Sequence, residues 1–151
     1  MASKLIPPFT KDTAHEKVKI AQKLWNTKNP SLVAKAYTEN SIWRNRTSFV
    51  KGHKEIEQFL AAKWAKESDY VLRKELFAFT DNKIAVQFWY EWRDADQWYR
   101  TYGLEDWTFA ADGRMEKRHM SGNDLAIQDH ERWFKSGDID QVVLGLAITS
   151  K

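Results

Sequence analysis

An α+β fold, with helices first and a strongly curved, mostly antiparallel sheet after them, is predicted by three features of this 151-residue sequence. Helical apolar spacing is confined to the segments before the long strands. Four alternating runs then follow at roughly 70–80, 83–93, 98–109 and 114–124, with turn signals at Asp81-Asn82, Ala95-Asp96 and Asp112-Gly113. The chain also carries 8 Trp, 8 Phe and 5 Tyr, bulky side chains that suit a bent sheet or a wide cavity. Strands of about eleven residues exceed the usual five or six, so such a sheet bends around whatever it packs against. Helices segregated from a meander distinguish α+β from alternating α/β.

The elements follow in order. Thr13-Ala-His-Glu16 has the form of a capping box, and Val18, Ala21 and Trp25 with Ile20 and Leu24 make a helical stripe. Asn29-Pro30 supplies an N-cap and an N1 proline for a short helix to about Tyr37. Ser41 to Arg46 reads as a short strand. Gly52 precedes a third helix with the stripe Ile56, Phe59, Leu60 and Trp64. After the meander, Leu125 to Phe134 reads as a terminal helix and the rest as an irregular or docked tail. One domain over 1–151 is expected, with its core at about 12–124.

Composition narrows the function classes. Lys+Arg is 24 against 21 Asp+Glu, a net charge of +3 with the signs interspersed, which is no nucleic-acid footprint. No basic run exceeds two residues, and no segment is apolar enough to span a bilayer, so no membrane partner is expected. The opening residues Met1 to Phe9 lack an apolar core of signal-peptide length, and a soluble cytoplasmic protein is the expectation. Without Cys there is no disulfide and no thiolate chemistry, and His15, His53, His119 and His130 lack metal-ligand spacing. No metal and no cofactor are expected.

Closing the turns tightly fixes which side chains share a face. The Asp112-Gly113 turn pairs Ala111 with Arg114 and so sets Trp107 opposite Arg118, with Glu105 one step along. On that face lie Phe77, Phe79, Val86, Phe88, Tyr90, Trp92, Tyr99, Thr101, Gly103, Glu105, Trp107, Phe109, Arg118 and Met120. Being the more apolar, it should face the helices, and Gly103 opposite Phe88 leaves room there. Arg73 and Glu75 share its parity unless a bulge in their strand flips them. The other face holds Trp89, Trp98, Tyr102 and Leu104, with Glu91 opposite Arg100 as a cross-strand ion pair. That much apolar surface, with no helix left to cover it, predicts a homodimer through the outer sheet face.

This order of elements resembles the nuclear transport factor two-like superfamily, the cone-shaped roll of ketosteroid isomerases, scytalone dehydratase and SnoaL-like polyketide cyclases. Six segments are similar to an uncharacterised branch of it, catalogued as a domain of unknown function. They are Trp43-Arg-Asn-Arg46, Phe59-Leu-Ala-Ala-Lys-Trp64, Lys74-Glu-Leu-Phe-Ala-Phe79, Tyr90-Glu-Trp92, Tyr102-Gly103 with Glu105 and Trp107, and Arg118-His119 with Asn123-Asp124. The resemblance implies three N-terminal helices packed in a cone-shaped roll, with Asn45, Lys63 and Arg118 facing a cavity. The catalytic Asp of ketosteroid isomerases falls on Asn45, the Tyr of their first helix on Ala21, and the Asp of their oxyanion hole on Glu105. Without the base, ketosteroid isomerisation is not expected.

The candidate catalytic residues are Glu105, Asn45 and Tyr90, and the candidate ligand-binding residues are Lys63, Arg118, Trp43, Phe59, Trp92 and Trp107. Glu105 is a general acid or base if burial raises its pKa, and an ionised structural partner if Arg118 holds it. Arg118 can grip a carboxylate or phosphate at two points, or stack on Trp107 as a structural cation. Lys63 lies on the apolar stripe of the third helix, where its amine reaches either the cavity or solvent. Asn45 can orient a carbonyl or hydroxyl; Tyr90 and Trp43 can stack on a planar ligand. Two functions fit: a small-molecule-binding protein, with cofactor-independent isomerase, dehydratase or cyclase chemistry on a small polar or anionic planar ligand, or a non-catalytic dimeric interaction protein with a structural charge cluster.

Overall fold

The computed structural model describes residues 5–135, 137–142 and 144. Helix α1 (Lys11–Trp25) is capped by Thr10, three residues before the expected cap, because Thr10 and Thr13 cap each other's backbone and displace the Thr13-Glu16 pairing. Asn29 caps α2 (Pro30–Ala34) through its side chain, as its sequence signature predicts. Strand β1 (Tyr37–Asn45) turns through Arg46-Thr47 into a short strand that the sequence did not announce, β2 (Ser48–Lys51). Gly52, at φ +78°, opens α3 (Gly52–Lys66) where a Cβ would press on the Glu39 carbonyl.

Strands β3 (Ser68–Thr80), β4 (Lys83–Asp94), β5 (Gln97–Phe109) and β6 (Met115–Ile127) form the expected meander. The sheet order is β2-β1-β6-β5-β4-β3, antiparallel except where β1 runs parallel to β6. Three helices within this curved, unclosed sheet make an α+β cone. Ile56, Leu60, Val18 and Trp25 from the helices pack on Trp43, Leu72, Phe88 and Trp107 from its concave face. No helix among the described residues is long and apolar enough to cross a membrane.

The last turn closes with the Ala110 N–H on the Arg114 carbonyl rather than with Ala111 opposite Arg114, and a register shift between Thr108 and Phe109 restores the expected pairs beyond it. Trp107 lies opposite Arg118, Glu91 opposite Arg100 and Phe88 opposite Gly103. The space above Gly103 is not free, however, because a Cβ there would sit 2.0 Å from the Phe88 ring, which fills it. A bulge between Leu76 and Ala78 reverses the parity of β3. Lys74 and Leu72 therefore face the core, Arg73 and Glu75 lie off that face, and Phe77 is 67% exposed. Glu75 is instead paired with Lys19 at 2.9 Å and Arg73 at 2.7 Å.

The end of the chain departs furthest from expectation. Residues 125–127 extend β6, and a single 3₁₀ turn at Asp129–Glu131 follows in place of the terminal helix. This segment crosses the outer face of the sheet. Backbone N–H groups of Trp133 and Phe134 donate to Glu91, Arg100 donates to the Glu131 carbonyl, and Trp133 stacks on the Arg100 guanidinium. Arg132 likewise covers Trp98. The Glu91–Arg100 pair is thus buried, and this half of the outer face is not left open for a partner.

Candidate functional site

The register sets Glu105 and Arg118 side by side on the concave face, and the β3 bulge brings Lys74 to the same point. Lys74 donates to Glu105 Oε1 at 2.6 Å, and Arg118 grips Oε2 through Nε at 2.8 Å and Nη2 at 2.6 Å. Trp107 adds an indole N–H to Oε1 at 3.1 Å. The ring centroids of Trp25 and Trp43, which stack on each other, lie 4.7 and 4.5 Å from the Arg118 guanidinium.

Burial acts to raise the Glu105 pKa, but Arg118 and Lys74 outweigh it and hold the carboxyl below its ordinary range. Glu105 is therefore ionised and a poor proton donor near neutrality. Burial pulls the Lys74 ammonium down to about 8, with Glu105 opposing and Arg118 adding to the fall. The void beside this cluster is only about 10 Å³, room for at most a single water. The large enclosed cavity expected between Trp107 and Asn45 is thus filled by the protein's own side chains.

Open volume lies at the mouth of the cone instead. A pocket of about 330 Å³, at the lower end for a small-molecule site, lies between the β1–β2 turn, the last two turns of α3 and Tyr90 of β4. Asn45, Phe59, Lys63 and Tyr90 line it, as candidate ligand contacts should, together with Arg46, Lys66 and Glu67, which were not singled out in the sequence. Lys63 donates to Glu67 at 2.8 Å and to the Tyr90 hydroxyl at 3.2 Å, with its ammonium 4.3 Å from the Tyr90 ring centroid. Arg46 is held at the rim by the Gly122 carbonyl and Asp124.

Asn45 joins the two regions. Its Oδ1 accepts from Arg118 at 3.1 Å, which assigns the amide orientation and leaves its NH₂ as a donor. Five of the nine candidate residues therefore meet at the inner void: Asn45, Lys63, Tyr90, Glu105 and Arg118. Trp43, Trp92 and Trp107 are core side chains that line neither the void nor the mouth. Trp92 donates its indole N–H to Thr101.

Of the residues missed, Lys74 and Glu67 left traces in the sequence. Apolar positions fall on Tyr70, Leu72 and Leu76 and then on Phe77 and Phe79, a change of parity that marks the bulge and turns Lys74 inward. Glu67 lies at the C-cap of α3, where the negative end of the helix dipole disfavours a carboxylate. An acidic residue there asks for a local cation.

The curved sheet enclosing three helices has the nuclear transport factor two-like cone fold. Residues 7–135 match the model of the family described as "Protein of unknown function (DUF1348)", and the chain belongs to that family. Two similar solved structures have the same fold. One is the epoxide hydrolase/cyclase-like enzyme SalBIII, described for its role in pyran ring formation in the polyether salinomycin; it superposes with a TM-score of 0.66 at 13% identity, over 75% of this chain and 92% of that one. The other is a hypothetical protein with a ketosteroid isomerase-like fold from Catenulispora acidiphila DSM 44928, in complex with trimethylamine, at a TM-score of 0.60 and 10% identity over 70% and 84% of the two chains. Among curated proteins no match is found. At such identities the likeness extends to the fold.

The buried lysine gives a pH signature. The folded chain releases the Lys74 proton near pH 8 and the unfolded chain holds it to about 10.5, so the folded state binds fewer protons in between. Stability should therefore rise as pH increases from about 8 to 10, by at most about 3 kcal/mol. Above about pH 10 the slope reverses, because burial keeps the Tyr37 and Tyr70 hydroxyls protonated only in the folded state. Urea unfolding across this range checks the rise, which Lys74→Met should flatten.

Proposed function

We propose that this protein binds a small planar anion at the mouth of the cone and carries out cofactor-independent acid–base chemistry on it, of the isomerase or lyase type. The observation that carries this reading is the pocket's charge. Arg46, Lys63 and Lys66 face it against Glu67, with Asp124 behind Arg46, which leaves a positive surplus. Phe59 and Tyr90 supply aromatic surface for a planar group, and the Asn45 amide supplies a donor. SalBIII and the ketosteroid isomerase-like protein have the same fold, and one is an enzyme while the other holds a small organic molecule, which supports a ligand site in this scaffold.

Glu105, Lys74 and Arg118 take a structural part in this reading, since both Glu105 oxygens are already taken by Lys74, Trp107 and Arg118. Arg118 acts on the ligand only through Asn45. Benzoate is a suitable probe for the pocket. Isothermal titration should detect its binding, and Lys63→Met should weaken it by about tenfold or more, the value of one charge-assisted hydrogen bond. Equal affinity in the variant would contradict the assignment.

The outer face of the sheet supports a homodimer, over a smaller area than the sequence suggested. A concavity of about 570 Å³ remains there, lined by Arg44, Gln87, Tyr102, Leu104 and Ser121 among others, and Leu104 is 53% exposed. A second copy covering this half would bury it. Leu104→Asp should then shift a dimer to monomer in size-exclusion chromatography with light scattering, and a wild type that is monomeric at high concentration would overturn the idea.

A further inference from the structure

We propose that Glu67, rather than the deeper Glu105, is the residue that moves a proton at this site. The inference rests on the anion-pocket reading above and deepens it. Access is the first argument. Glu67 lines the mouth pocket, whereas the Glu105 side chain is 1% exposed and both of its oxygens are taken by Lys74, Trp107 and Arg118. Free valence is the second. Only Oε1 of Glu67 accepts a hydrogen bond among the described residues, from Lys63, so Oε2 is left to take a proton. Positioning is the third, because one Lys63 ammonium anchors both Glu67 and the Tyr90 hydroxyl and fixes their spacing.

The surroundings are those of a tunable acid. Burial raises the Glu67 pKa, Lys63 and Arg46 oppose it, Asp124 adds to the rise, and the net effect is upward. The groups facing it are Lys63 and Lys66 from α3, Arg46 after β1, Tyr70 of β3, Tyr90 of β4 and Asp124 of β6. Its place at the C-terminal end of α3 adds the unfavourable end of a helix dipole. A carboxyl raised above its ordinary range is a stronger proton acceptor when ionised than an unperturbed one.

The step is a carbon-acid proton transfer. Oε2 of Glu67 takes a proton from the carbon beside a carbonyl of the bound anion. The electron pair of the broken C–H bond forms the new C=C bond, and the carbonyl π pair moves onto oxygen. The Asn45 NH₂ and the Lys63 ammonium are the donors available to that oxygen. The Glu67 carboxyl exchanges its proton with solvent and returns one to the same carbon as the oxygen's electron pair re-forms the carbonyl, which completes the cycle with no co-reactant.

A small carboxylate with an exchangeable C3 proton, 2-oxobutyrate, tests this directly. Its C3 exchange in D₂O is followed by proton NMR, and its binding by amide chemical shifts, for the wild type and Glu67→Gln. The wild type should speed exchange over buffer, and Glu67→Gln should lose roughly a hundredfold or more of that rate with binding kept within about threefold. The wild-type rate should also titrate with the Glu67 carboxyl carbon seen by ¹³C NMR. Binding without faster exchange, or exchange unchanged in Glu67→Gln, overturns the role of Glu67. Absence of binding in both proteins overturns the anion pocket itself, and this proposal with it.

Discussion

A carboxylate with almost no water around it must be matched by nearby donors and charges, and Glu105 is matched by Lys74, Arg118 and Trp107. These partners come from β3, β5 and β6, so one buried carboxylate ties together three strands of the cone. Removing Glu105 would leave the buried Arg118 without its carboxylate, and removing Arg118 would leave Glu105 with Lys74 alone, at a cost of about 3–5 kcal/mol. The cluster also needs its aromatic walls. Trp25 of α1 and Trp43 of β1 stack on each other, and both lie beside the Arg118 guanidinium, which ties the first helix to the sheet. The interior of the cone is consequently a structural centre, and its contact with the mouth runs through the Asn45 amide.

That division assigns different work to acidic residues that look alike in sequence. Glu105 is held ionised by two cations and has no open side. Glu67 bonds one cation directly, Lys63, and has a raised pKa and a place on an open pocket. Glu91 is different again: buried under residues 131–134, it joins the chain's end to β4 through backbone donors and to β5 through Arg100. It is a cross-strand pair, as its register implies. Its depth comes from the C-terminal segment, which packs over it as an irregular strap held by hydrogen bonds.

Periodicity made the fold and half of the site legible. Alternation and the Asp112-Gly113 turn pointed to Trp107 opposite Arg118 with Glu105 beside it, although the turn closes at Ala110 and Arg114 and a register shift between Thr108 and Phe109 makes up the one-residue difference. The same rule failed on β3, where one bulge at Leu76/Ala78 exchanged Lys74 for Glu75. The aromatic content suggested a wide cavity, but side-chain volume works in both directions: the rings of Trp25, Trp43, Phe88 and Trp107 fill the cone they help to shape. The mouth depends on Arg46 in a turn, Glu67 at a helix end and Lys63 between them. Residues at ends and turns follow no period, so spacing alone does not bring them together.

The account turns on where a ligand sits: at the mouth, against Phe59 and Tyr90, and not in the interior beside Trp107. Crystals grown with 4-bromobenzoate and measured at the bromine absorption edge locate the halogen without reference to a model of the ligand. Anomalous density in the mouth pocket, with the carboxylate toward Lys63 and Asn45, is the predicted result. Bromine between Trp107 and Asn45, with the Lys74–Glu105–Arg118 cluster opened to admit it, would contradict it.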